Sequence, residues 1–97
     1  RIAGIMGAKK TSELIPLCHP IAIHKVEIAF DFESDGVAIT ATLKTSDRTG
    51  IEMEALTAVS VAGLTLIDMV KAMDLRASLV NVHVASKRGG KNGSWKR

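Results

Sequence analysis

The sequence predicts one α+β domain, a ferredoxin-like sandwich whose antiparallel sheet carries its helices packed on one face. Its hydrophobic patterning points there from three places. Val26, Ile28, Phe30 and Phe32 alternate with Glu27, Ala29 and Asp31; after Ser34-Asp35-Gly36, the residues Val37, Ile39, Ala41 and Leu43 alternate again. A period of two on both sides of a short turn is an antiparallel hairpin with one buried face. Ile51 to Asp74 contains no proline and is rich in Ala, Leu and Met, the composition of a long helix. Leu79 to Ala85 alternates once more, with Val80, Val82 and Val84 on one side. The order helix, strand, strand, helix, strand becomes the βαββαβ order of that sandwich once a strand is added ahead of Arg1. That first strand is expected to be missing from this sequence.

The elements follow in order. Ile2, Ile5, Met6, Lys9 and Lys10 fall at helical spacing, so Arg1 to Ile15 reads as one helix broken near Thr11, or as the end of a longer one. Pro16 closes it, because a residue before proline is pushed out of the helical region. A start at Arg1, inside a helical pattern, is expected of a processed or partial chain. Gly36 can supply a positive φ to the hairpin turn, and Thr45 to Gly50 is loop. The long helix is apolar most of the way round, which marks burial on more than one side. Its small residues Ala55, Ala58, Ser60, Ala62 and Gly63 permit close backbone approach. In so small a domain the second cover is expected to be another subunit.

The chain has 97 residues, enough for one modest core and one domain, 1–97, that gains from oligomerisation. It is 46% hydrophobic and 24% charged, a globular balance rather than a disordered one. Phe30, Phe32 and Trp95 are the only aromatic residues, so aliphatic side chains must fill the core. A single cysteine forms no internal disulfide, and no signal peptide is visible. The apolar run Ala55 to Val70 is interrupted by Thr57, Ser60, Thr65 and Asp68 and reads as too short and too polar to span a membrane. A soluble cytoplasmic protein is expected. The net charge of +3 is uneven: residues 86–97, "SKRGGKNGSWKR", form a basic Gly/Lys-rich tail with no acid. The tail attracts anions, or is simply a solvated terminus.

Three constellations could carry chemistry. In "SELIPLCHPIAIHK", Pro16 and Pro20 bracket Cys18 and His19, with His24 further on. A thiolate beside an imidazolium would be a nucleophile, but neighbours in an extended segment point apart. C-H-x4-H alone is too little for a zinc site. A packed cysteine beside a polar histidine is the plainer reading, and the prolines favour rigid placement of one imidazole. On the long helix, Glu52 and Glu54 stand where the dipole favours anions, and capping accounts for Glu52. Asp68 interrupts "LTLIDMVKAM" with Lys71 one turn on, either a structural ion pair or a working one. Glu54 and Asp68 are 14 residues apart, roughly four turns and about 21 Å along the axis. They cannot meet on one small group without a long ligand or a second chain. The tail has no Walker A order and no stacking platform, which argues against single-strand nucleic-acid binding.

"LIPLCHP", "GIEMEALTAVSVAGLTLIDMVKA" and "KRGGKNGSW" resemble, in order and spacing and over essentially the whole chain, the molybdenum-cofactor biosynthesis protein C family, the cyclic pyranopterin monophosphate synthases. The resemblance implies a ferredoxin-like subunit assembled as a hexamer, a trimer of dimers with sites at subunit interfaces. It implies rearrangement of 3′,8-cyclo-7,8-dihydroguanosine 5′-triphosphate to cyclic pyranopterin monophosphate with loss of pyrophosphate, in molybdenum cofactor biosynthesis. Carried over, it makes Leu17, Cys18, His19, Glu52, Met53 and Glu54 substrate contacts, Asp68 the catalytic aspartate with Lys71 beside it, and Lys87 a further lysine of the site. Lys87, Lys91 and His19 could hold the triphosphate. No cofactor and no resident metal are implied, although Mg²⁺ can accompany the triphosphate; no nucleic acid or membrane partner is expected. The family also carries an upstream segment with a "KGD"-type lysine, outside this sequence, and a subunit lacking it would be an incomplete catalyst. A non-catalytic nucleotide- or pterin-binding module of the same fold is the alternative, and a basic nucleic-acid binder a more distant one.

Overall fold

A computed structural model describes residues 1–89 and 93–97. Its elements are α1 (Ile2–Lys9), α2 (Thr11–Leu14), β1 (Lys25–Glu33), β2 (Gly36–Lys44), α3 (Glu52–Val70), β3 (Ser86–Lys87) and β4 (Trp95–Lys96). The architecture is α+β, with antiparallel sheets and helices packed against the larger one.

The predicted break in the first helix has a local cause. The Thr11 hydroxyl, 1% exposed, donates to the carbonyls of Gly7 and Ala8 at 3.2 and 3.0 Å. It thereby satisfies acceptors at the end of α1, and Lys10 leaves helical geometry at φ −103 and ψ 8.

The hairpin is as predicted, two residues longer in each strand. Its register pairs Val26 with Leu43, Ile28 with Ala41 and Phe30 with Ile39, so one face is apolar throughout. Against that face lie Ala8 of α1 and Ala58 and Ala62 of α3, with Ile28 at 4% exposure in the centre. Burying Ile28 contributes about 1.5–3 kcal/mol. The helices touch through small residues: a side chain at Gly4 would collide with Ile28 and lie 3.0 Å from the Ala58 carbonyl, and one at Gly7 would lie 2.9 Å from Val61. Phe32, expected on the buried face, is 88% exposed because the hairpin tip extends beyond the helices. Gly36 opens β2 without a positive φ.

Three expectations need correction. The long helix ends at Val70, four residues before Asp74: the Met73 and Asp74 N–H groups both turn back to the Val70 carbonyl at 2.9 and 3.0 Å, and the Asp74 carboxylate then accepts from the Arg76 N–H at 2.9 Å in a further turn. Leu79 to Ala85 forms no strand. Asn81 adopts φ 54, which breaks the pleat, and the segment is held instead by Leu79 seated over Gly63 of α3. Strand pairing after β2 begins, among the described residues, only at β3, which pairs with β4; Arg97 donates to the carbonyls of Ala85 and Val84. Finally, α3 has 19 residues and a mean hydropathy of 1.6 over its best stretch, long and apolar enough by length and composition to cross a bilayer. A core helix has the same properties, and the stripe Glu54, Ala58, Ala62 and Gly63 is buried within the domain.

Candidate active site

The "LCHP" element is a tight turn. Cys18 N–H donates to the Ile15 carbonyl at 3.2 Å, with Pro16 and Leu17 in the corner positions. Proline fits the first corner and a positive φ is demanded at the second. Leu17 supplies it at φ 69, a conformation that costs an L-residue about 1–2 kcal/mol. Its side chain gains nothing in return within the chain, being fully exposed at 104%.

The segment that follows the turn is braced against the loop before α3. Ala22 N–H donates to the Asp47 carboxylate at 3.2 Å, Thr45 hydroxyl donates to the Ala22 carbonyl at 2.6 Å, and His24 bonds the Ser46 hydroxyl at 2.7 Å. His24 is therefore part of this brace rather than of the Cys-His pair. Held this way, Leu17, Cys18 and His19 face Glu52, Met53 and Glu54 across a hollow of about 290 Å³. Glu54 also borders a second hollow of about 410 Å³, walled by Lys9, Ser12, His24 and Lys25.

Within the first hollow, Glu54 is 3% exposed and Cys18 Sγ lies 3.8 Å from its Oε2. Partial burial, then the charge and hydrogen bond of Glu54, push the thiol above its ordinary pKa, so Cys18 stays a neutral thiol. Its other neighbour is the His19 backbone oxygen at 3.9 Å, not the imidazole, and a thiolate–imidazolium nucleophile is not assembled. Glu52 makes no side-chain cap on α3, contrary to expectation. Its carboxylate instead meets Lys87 Nζ at 3.3 Å, the lysine side chain being 12% exposed. This ion pair joins the tail to the site.

Asp68 and Lys71 pair with each other at 2.7 Å and are 71% and 59% exposed. The hydrogen bond and then the charge of each partner hold Asp68 below and Lys71 above their ordinary values. Neither lines either hollow. The chain thus brings together Leu17, Cys18, His19, Glu52, Met53, Glu54 and Lys87, and leaves Asp68 and Lys71 at the far end of α3. Lys91 lies outside the described residues. Among the described residues no three His, Cys, Asp or Glu side chains converge as metal ligands. Sequence reasoning missed the Gly50 loop and the Thr45–Asp47 brace; "TSDRTG" signalled a loop but not what it would hold.

A model of the MoaC family matches residues 1–90. The chain belongs to the MoaC family. Among the relatives of this MoaC-family chain is the cyclic pyranopterin monophosphate synthase of Streptomyces griseus, 63% identical over all 97 residues. The enzymes of that name from Streptomyces coelicolor and Novosphingobium aromaticivorans are 60% and 57% identical. The chain covers 55%, 57% and 61% of these relatives' lengths, so it spans little more than half of each.

Proposed function

We propose that this chain is the part of a cyclic pyranopterin monophosphate synthase that converts 3′,8-cyclo-7,8-dihydroguanosine 5′-triphosphate to cyclic pyranopterin monophosphate and pyrophosphate. The observation that carries the reading is the hollow between "LCHP" and "EME". It is lined by His19, Glu52 and the buried Glu54, and Glu52 ties it to the enclosed Lys87, in a chain whose relatives bear that enzyme's name.

His19 and Lys87 hold the triphosphate, and Lys87 stabilises the departing pyrophosphate; Mg²⁺ can accompany these phosphates. Lys91 joins them from the tail. Glu52 sets the position of Lys87, while Leu17, Met53 and Glu54 meet the nucleoside. Opening an imidazole ring and closing a pterin require several proton transfers, and Asp68 and Lys71, as an acid–base pair, are suited to them.

Because Asp68 and Glu54 are about 21 Å apart on one helix, a working site takes them from two chains. Leu64, Met69, Met73, Leu75 and Val80, all more than half exposed, lie at or beyond the end of α3 that carries Asp68 and Lys71 in sequence and suit such an interface. The assembly proposed is a homo-oligomer, a trimer of dimers, of cytoplasmic ferredoxin-like subunits.

The test incubates the cyclised GTP precursor with the chain joined to the upstream region of the Streptomyces griseus relative. Pyrophosphate and the pterin product are expected together. Precursor bound tightly with no pyrophosphate released would overturn the enzymatic reading in favour of a binding module.

A further inference from the structure

We propose that Gly50 is a positioning residue: the space left by its missing side chain is where the Glu52 carboxylate folds back to hold Lys87. The inference rests on the reading that Lys87 serves the substrate's phosphates. Its structural half stands on geometry alone.

Gly50 is not there for backbone freedom. Among the described residues the glycines with positive φ are Gly89 and Gly93, and the conformation at Gly50 admits any L-residue. What excludes a side chain is one group. A Cβ on Gly50 would overlap Glu52 Oε1 and stand 2.8 Å from Cδ and 2.9 Å from Oε2 of the same carboxylate. That is the end of a flexible side chain, so an alanine is accommodated by swinging the carboxylate away, without moving the backbone. The oxygen displaced is the one that meets Lys87 Nζ at 3.3 Å. An ammonium group as enclosed as Lys87 is poorly hydrated, and without its carboxylate it is left uncompensated. Lys87 therefore leaves its seat, and β3, only two residues long, gives it freedom to do so. The consequence reaches the phosphates, because a displacement of about an ångström in a catalytic group can cost on the order of 10²-fold in rate.

The experiment measures acylation of Lys87 by a soluble amine-reactive ester, followed by peptide mass spectrometry, in wild type, Gly50→Ala, Glu52→Ala and the double variant. Gly50→Ala is expected to keep the wild-type circular dichroism and to expose Lys87 to acylation several-fold faster, close to Glu52→Ala. In the Glu52→Ala background the collision is gone, so adding Gly50→Ala should fold and change nothing further; a residue acting independently would add its effect. With the cyclised precursor, and the chain joined to the upstream region of the Streptomyces griseus relative, Gly50→Ala should lower kcat by up to on the order of 10²-fold. Unchanged Lys87 reactivity in Gly50→Ala, or additive effects in the double variant, would overturn the positioning role. Absence of turnover in the wild type would count against the proposed reaction and leave the lysine readout to decide this inference.

Discussion

Leu17 combines a strained backbone with a side chain that touches nothing, and replacing it by glycine separates the two. At φ 69 the left-handed conformation costs leucine about 1–2 kcal/mol, which glycine does not incur. Against this, glycine loses more freedom on folding, about 0.4–1 kcal/mol. No burial term enters, since Leu17 is fully exposed at 104%, and the Cys18 to Ile15 hydrogen bond is retained because it is backbone only. Leu17→Gly should therefore stabilise the chain by roughly 0.5–1 kcal/mol, raising Tm by about 2–8 °C in a domain of this size. Leu17→Ala keeps the strain and should stay within about 0.5 kcal/mol of wild type. Thermal unfolding across a range of protein concentrations is the assay, since cover by a second copy would make the effect concentration-dependent. A lower Tm for Leu17→Gly at low concentration would refute the strain. Turnover should fall in both variants, as the lost side chain is a substrate contact in the proposed site.

Other consequences are as direct. Gly4→Ala pushes a methyl group into Ile28 and the Ala58 carbonyl and should cost about 1–3 kcal/mol in denaturant unfolding; Gly36→Ala, with nothing within 4 Å, should be near neutral. Asp68→Asn removes only an exposed ion pair, which solvent screens, so the fold should persist while product formation is lost, and near-normal product formation would contradict the catalytic role. The pair's small contribution has a definite pH window. Asp68 is held low, so its part is present above the ordinary aspartate range and fades as pH falls through the lowered value. Lys71 is held high, so its part is present below the ordinary lysine range and fades as pH rises through the raised value. Stability difference between wild type and Asp68→Asn should vanish in acid and shrink with salt. Alkylation of Cys18 should be slower at neutral pH than that of an unstructured cysteine, and Glu54→Gln, by removing a charge that raises the thiol pKa, should speed it.

The hairpin and the long helix were legible because each is a local pattern backed by burial of one face: period two in Val26–Phe30 and Ile39–Leu43, and small residues along α3. What misled was partnership. Leu79 to Ala85 has the alternation of a strand, but a strand exists only against another, and among the described residues no strand pairs with it. Glu52 sits where a capping residue would, yet its carboxylate is taken by Lys87, 35 residues away in sequence, a pairing no local pattern encodes. The site residues came from the motifs that carry the family resemblance. Helical geometry alone separated Glu54 from Asp68, and the structure retains that separation.

Whether two chains build one site is tested most directly by complementation. Glu54→Gln and Asp68→Asn chains, each joined to the relative's upstream region and each inactive alone, are co-expressed with different tags and isolated as mixed oligomers. If Glu54 and Asp68 of one site come from different subunits, random assortment leaves about a quarter of the interface sites intact, and pyrophosphate release should return to about that fraction of wild type. Mixed oligomers that remain inactive would contradict a shared site and place both carboxylates in the service of a single chain.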